Sequence, residues 1–244
     1  MVYNQHLFKA LPFNPEKDFE PINNLFFNVL ILVTNSKLNV KTIPELVALS
    51  KAKPGTLSYG TFSFPLVHFM EQLKKQTGAD FVRVPFRSGG EVVNAVMSGT
   101  TPIAFLGLSN MIAQVQAGLF TGIAVNANNR TPIVPDVPTL KEATGENYPP
   151  TWFGLFAPAG TPKAIRDRVH AEVVRITSDP AFKQKNFVDR AVEYAVGPTE
   201  DFVKYIAWNR EFAARLNSIP ATPKRCASWP ASSCGTKTTS VRRR

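Results

Sequence analysis

From about residue 26 the chain alternates short apolar runs with segments whose apolar residues recur every three or four positions. Residues 28–34 form a continuous apolar run, the pattern of a strand buried on both faces. Thr42-Ile43-Pro44-Glu45 has the form of a capping box, in which Thr42 accepts from early helix amides and Glu45 reaches back. The helix it opens stops at Pro54-Gly55. A short strand follows at 57–60. Pro65 suits a first helical turn, and Leu66, Phe69, Met70 and Leu73 form one stripe that ends at Gly78. Residues 80–84 read as a strand. Ser88-Gly89-Gly90 opens a helix with Val92, Val93 and Val96 inward, closed by Gly99. A strand at 102–106, a helix at 110–117 closed by Gly118, and a strand at 121–125 complete the series. Five strands with a helical pattern in every gap predict crossover units and a largely parallel sheet covered on both faces.

Beyond residue 126 the rhythm changes. Residues 126–150 are loop-rich, with prolines at 132, 135, 138, 149 and 150. Residues 152–158 are strand-like. Thr161-Pro162 is expected to cap a helix carrying Ile165, Val169, Val173 and Ile176 on one stripe. His170 falls between stripe positions and is expected at the surface. A second helix is expected from Thr199, carrying Phe202, Val203, Ile206, Phe212 and Leu216. These pieces contain too few strands for a second α/β domain of their own. They read as the trailing part of a domain whose first part lies elsewhere. The sequence predicts a remnant of a first lobe at 1–19, a complete α/β lobe at 20–126, a connecting loop with the C-terminal part of the first lobe at 127–216, and a disordered basic tail at 217–244.

Charge changes the picture only locally. The chain of 244 residues carries a net charge of +10, but six of its 28 basic residues lie in 219–244, which contains no Asp or Glu. The remainder is mildly basic, and no nucleic-acid partner is expected. Both cysteines, Cys226 and Cys234, also lie in the tail, so the body offers no disulfide, thiol nucleophile or cysteine metal site. No apolar run approaches the length of a membrane span, and residues 1–6 have neither the basic nor the apolar region of a signal peptide.

The chain lacks a Walker loop, a G-x-G-x-x-G, an H-E-x-x-H and a G-x-S-x-G. His6, His68 and His170 are far apart, and no metal or cofactor is expected. Only Tyr59 and His68 offer a base or nucleophile for an enzyme reading. Three similar strand-to-helix junctions stand out instead: Tyr59-Gly60-Thr61-Phe62-Ser63, Pro85-Phe86-Arg87-Ser88-Gly89-Gly90 and Gly107-Leu108-Ser109-Asn110. In an open parallel sheet such junctions share one edge, where ligands bind. Helix N-terminal amides attract anions, glycines admit close approach, and hydroxyls add donors. Thr61, Phe62, Ser63, Phe86, Arg87, Gly89, Gly90 and Ser109 are the candidate ligand residues, with Phe62 and Phe86 as walls and Arg87 as a carboxylate partner. No catalytic residue is assigned.

At these residues the sequence resembles the Bug (Bordetella uptake gene) family, the substrate-binding proteins of tripartite tricarboxylate transporters. The resemblance runs over roughly 4–216. It rests on Leu11-Pro12-Phe13-Asn14-Pro15-Glu16-Lys17-Asp18-Phe19, Ala52-Lys53-Pro54-Gly55 with Tyr59-Gly60, and Val84-Pro85-Phe86-Arg87-Ser88-Gly89-Gly90. It continues through Pro135-Asp136-Val137-Pro138-Thr139 and Trp152-Phe153-Gly154-Leu155-Phe156-Ala157-Pro158-Ala159-Gly160-Thr161-Pro162. The resemblance implies a type II periplasmic-binding-protein-like α/β fold, with two lobes, mostly parallel sheets and an N-terminally truncated first lobe. It implies a periplasmic receptor, not an enzyme, that captures a small organic acid and delivers it to a membrane permease. As written, without a signal peptide, the chain is expected in the cytoplasm. An incomplete first lobe would weaken binding and leave the stripes Ile165-Val169-Val173 and Phe202-Ile206 partly exposed. The Phe62-Ser63-Phe64 loop is bulkier than the family's Gly-rich one, and no acidic residue stands near Leu106-Gly107, so an amino-acid solute is not expected. The alternative is the effector-binding domain of a LysR-type transcription regulator.

Overall fold

The computed structural model describes residues 11–62, 64–146 and 148–216. Ser63, the 217–244 tail and the start of the 1–19 remnant lie outside them. Two sheets organise the chain. The larger has the order β4-β3-β5-β2-β6, built from β2 (Leu30–Asn35), β3 (Ser58–Thr61), β4 (Val82–Pro85), β5 (Ile103–Gly107) and β6 (Phe120–Asn126). β3 runs parallel to β4 and β5, while β2 runs antiparallel to β5 and β6. Four strands therefore share one direction and only β2 opposes them. The smaller sheet, β7-β1-β8, is antiparallel throughout. It joins β1 (Phe19–Asn28), β7 (Thr151–Pro158) and β8 (Val192–Tyr194).

The apolar run at 28–34 is not one strand. It breaks at Val29: β1 ends at Asn28 in the small sheet, and β2 begins at Leu30 in the large one. The large sheet thus starts at Leu30 rather than near residue 20, because β1 pairs with β7. The Leu108 amide donates to the Val29 carbonyl, 2.8 Å, which fixes the crossing beside the end of β5. The chain returns through residues 127–150.

Every residue of β2 and β5 is buried; their apolar residues suit that position, and the two polar residues that close β2, Thr34 and Asn35, donate to the Val40 and Val96 carbonyls. α1 (Ile43–Ala52), α2 (Phe64–Thr77) and α3 (Gly89–Ser98) cover this sheet through Leu46, Phe69, Met70, Leu73, Val92 and Val96, all 3% exposed or less. Each such side chain stabilises the fold by roughly 1.5–3 kcal/mol. Thr42 caps α1 by accepting from the Glu45 amide, while Glu45 accepts from the Lys41 amide. α4 (Ile112–Gln116) and α5 (Leu140–Thr144), the latter closed by a full Thr139/Glu142 capping box, complete this part.

The small sheet is flanked by α6 (Lys163–Thr177), α7 (Pro180–Lys183) with the π-turn Gln184–Val188, and α8 (Thr199–Leu216). α6 starts after Pro162 without a side-chain cap, and the Thr161 hydroxyl donates to the Pro158 carbonyl instead. Phe202 and Ile206 of α8 are buried against Trp152 and Phe156, so this stripe is not left open. α6 differs, with Ile165 54% and Ile176 44% exposed. His170 is half-buried rather than a surface residue, because Asn23 of β1 lies 2.8 Å from its Nδ1.

Candidate functional site

The three junctions meet because β4, β3 and β5 are adjacent and parallel, which brings Thr61, Pro85 and Gly107 to one edge. The Phe86 amide donates to the Thr61 carbonyl, 3.0 Å, tying the second junction to the first. A Cβ on Gly60 would lie 2.8 Å from Val92 Cγ1 and 3.0 Å from Phe86 Cε2, so the Phe86 ring lies over a strand position that only glycine leaves open. A Cβ on Gly89 would lie 3.4 Å from both Phe62 Cε1 and Asn110 Oδ1. The first residue of α3 is thus flanked by the first junction on one side and the third on the other.

Asn110 Nδ2 donates to the Gly107 carbonyl, 3.3 Å, and its Oδ1 faces Gly89. Asn28, the last residue of β1, brings its amide group within 3.3 Å of the position a Gly107 Cβ would take. The edge of the large sheet therefore touches the strand that crosses to the small one. Asn28 and Asn110 were not among the candidates. Asn110 could have been taken from the quoted junction, whereas nothing in the local pattern marks Asn28.

The α3 N-terminus is partly satisfied from within. The Ser88 hydroxyl accepts from the Glu91 amide, 3.3 Å, and the Glu91 carboxylate accepts from the Arg87 amide, 3.1 Å. No hydrogen bond among the described residues uses the Gly89 or Gly90 amide. Those two donors are open to solvent or to a bound group. Glu91, in the first turn, already offsets part of the helix's positive end. Phe62 and Phe86 are half-buried walls, and Arg87 and Ser109 are exposed. Thr61 is buried and supports the site through its carbonyl.

The side chains that an enzyme would need stand elsewhere. The Tyr59 hydroxyl donates to Glu71, 2.9 Å, and burial holds the phenol well above its ordinary range. Burial pushes His68 down to about 4, against a weaker pull from Glu71. Among the described residues no group of His, Cys, Asp and Glu could hold a metal ion, and no helix is long and apolar enough to cross a membrane. The arrangement suits a small anionic solute held by backbone amides, a hydroxyl and an amide side chain between two aromatic rings.

A family model described as "Tripartite tricarboxylate transporter family receptor" matches residues 1–218. A UPF0065 protein of Bordetella pertussis is 29% identical over 180 residues, covering 72% of this chain and 55% of the relative. The curated relatives are matched over 50–64% of their own length. A solved periplasmic transporter superposes with a TM-score of 0.76 at 29% identity, covering 89% of this chain and 72% of the other. An R. palustris protein solved with adipate has a TM-score of 0.75 at 21% identity, covering 86% of this chain and 72% of its own, a likeness of fold.

Proposed function

The chain belongs to the tripartite tricarboxylate transporter receptor family, and from that premise we propose that it captures a small carboxylate-bearing solute in the periplasm for a membrane permease. The family is one of transport receptors rather than enzymes, and the match gives no support to the regulator alternative. The observation that carries the reading is the convergence of three junctions on Gly89, where two amides are open to a bound group. In this reading the Gly89 and Gly90 amides and the Ser109 hydroxyl donate to a carboxylate, and Arg87 supplies positive charge from the rim. Phe62 and Phe86 wall the solute's carbon skeleton. The adipate bound to the R. palustris protein supports a carboxylate as the solute class.

The test is a thermal melt of the full chain with and without 10 mM adipate. A dissociation constant near 1 mM would add about 1.4 kcal/mol, a rise of about 3–6 °C for a chain of this size. In Gly89→Val the branched side chain would press on Phe62 and Asn110 and cover both amides. The rise should vanish there while the ligand-free melt stays within a degree or two. No rise in the parent, or an equal rise in the variant, overturns the proposal.

A further inference from the structure

Asn28 fits its own element poorly. It ends β1, the central strand of the small sheet, and is paired on both sides, with Thr151 of β7 and Val192 of β8. Asparagine is depleted from such positions, whereas Phe26 and Phe27 just before it are residues a strand favours. A residue that breaks the local preference marks a place where another demand outweighs it. The position is also fixed from outside the small sheet. The next carbonyl, of Val29, accepts from the Leu108 amide at 2.8 Å, which sets Asn28 beside the third junction.

The half-buried Asn28 side chain presents both of its polar atoms to Gly107. A Cβ there would lie 3.2 Å from Asn28 Nδ2, 3.3 Å from Asn28 Oδ1 and 3.2 Å from Asn110 Nδ2. Any side chain at 107 would fill the space between the two amides, and glycine keeps it open. The two amides differ in what they already hold. Asn110 Nδ2 donates to the Gly107 carbonyl, and Asn110 Oδ1 faces Gly89. No hydrogen bond among the described residues uses the Asn28 side chain. An amide with donor and acceptor both unspent matches a group that accepts and donates, which a hydroxyl does and an ionised carboxylate does not.

We propose that Asn28 sets the specificity of this site by hydrogen-bonding a hydroxyl that the solute carries beside its bound carboxylate. The inference rests on the carboxylate reading given above. Asn110 reaches from the Gly107 position to the Gly89 position, so a carboxylate at Gly89 and a hydroxyl at Asn28 lie one side chain apart. Whichever amide atom the hydroxyl meets, it can reciprocate: it accepts from Nδ2 and donates to Oδ1. A solute without the hydroxyl still binds through its carboxylate but leaves the half-buried amide unpaired, at a cost in affinity.

Calorimetric titration of the full chain with adipate and with each enantiomer of 2-hydroxyadipate tests this, because the acids differ in one hydroxyl. One enantiomer should bind about three- to tenfold more tightly than adipate, the worth of one hydrogen bond. Asn28→Leu keeps the outline of the side chain and removes both polar atoms, and Asn28→Ala serves as a second variant should leucine disturb the strand end. In either, the preference should fall to about twofold or less, with the hydroxy acid losing more than adipate. A merely structural role would weaken both acids by the same factor, and that result overturns the proposal. So does a preference that survives both substitutions. Gly89→Val should abolish binding of all three acids. Adipate binding that depends on Gly89, with neither enantiomer preferred in the parent chain, overturns this inference and leaves the carboxylate reading standing. Absence of binding by every acid overturns both.

Discussion

Gly154→Ala probes how tightly the small sheet and α8 interlock. A Cβ at this position would overlap Phe202 Cζ outright, lie 2.8 Å from its Cε1 and stand 3.1 Å from the Asn23 carbonyl oxygen. Carbon atoms pack at about 3.5–4.0 Å, so the ring or the strand must move by an ångström or more. The ring cannot swing away freely. Phe202 is 3% exposed, with Trp152 and Phe156 centroids 5.2 and 5.4 Å from its own. On the other side stands backbone of β1, which pairs with β7 through Asn24↔Gly154. Overpacking typically costs about 1–3 kcal/mol, and two rigid neighbours put this case near 3 kcal/mol. That is a large share of the roughly 5–15 kcal/mol that stabilises a domain. Urea unfolding followed by tryptophan fluorescence, which Trp152 reports from inside the cluster, measures it. Phe202→Leu in the same background supplies the second arm. The smaller side chain destabilises by about 1–2 kcal/mol alone but makes room for the methyl group. The double variant should therefore be more stable than Gly154→Ala, with a coupling of about 2–3 kcal/mol that exceeds the cost of Phe202→Leu alone. A Gly154→Ala variant within about 0.5 kcal/mol of the parent, or strictly additive costs, would refute this packing.

Gly60→Ala places a methyl group 2.8 Å from the buried Val92 and against Phe86. It should lower stability in urea by about 1–3 kcal/mol and weaken adipate binding, because Phe86 must turn into the site; unchanged binding in a folded variant would remove Phe86 from it. Ser88→Ala removes the α3 cap that holds the Glu91 amide, and denaturant unfolding should show a loss of about 1 kcal/mol, with no loss meaning that Glu91 caps the helix alone. Burial pushes His68 down to about 4 in the folded chain, against 6.5 when unfolded. Between those values the unfolded chain takes up a proton that the folded chain refuses, so stability is full above pH 6.5 and falls as pH drops toward 4. Allowing for partial solvent screening, the loss is about 1–2 kcal/mol. His68→Gln should flatten that part of the pH–stability curve, and an unchanged slope would place the dependence on other groups.

The period of apolar residues was enough to read the elements of the large sheet, because buried central strands and one-faced helices write themselves into local sequence. β1 was not legible. Pro21, Asn23 and Asn24 break its alternation, two register shifts interrupt its pairing with β7, and its two buried asparagines look like loop residues. The break at Val29 was invisible for the opposite reason, since both sides of it are apolar and hydrophobicity does not say which sheet a residue joins. His170 read as a surface residue because its partner, Asn23, lies 147 positions away. The three junctions could be picked out one by one. That they converge depends on the order β4-β3-β5, which no local pattern encodes. Asn28 enters for the same reason, through the placement of β1 beside Gly107.

The central claim, that the junctions around Gly89 hold a carboxylate, is tested most directly by titrating adipate into ¹⁵N-labelled full chain and following backbone amide resonances. A carboxylate accepting from Gly89 and Gly90 should move those two amides most, downfield, with Ser109 and Asn110 next and the amides of α1 and α5 unmoved. Shifts that leave Gly89 and Gly90 in place, with the largest changes elsewhere or none at millimolar adipate, would contradict the account.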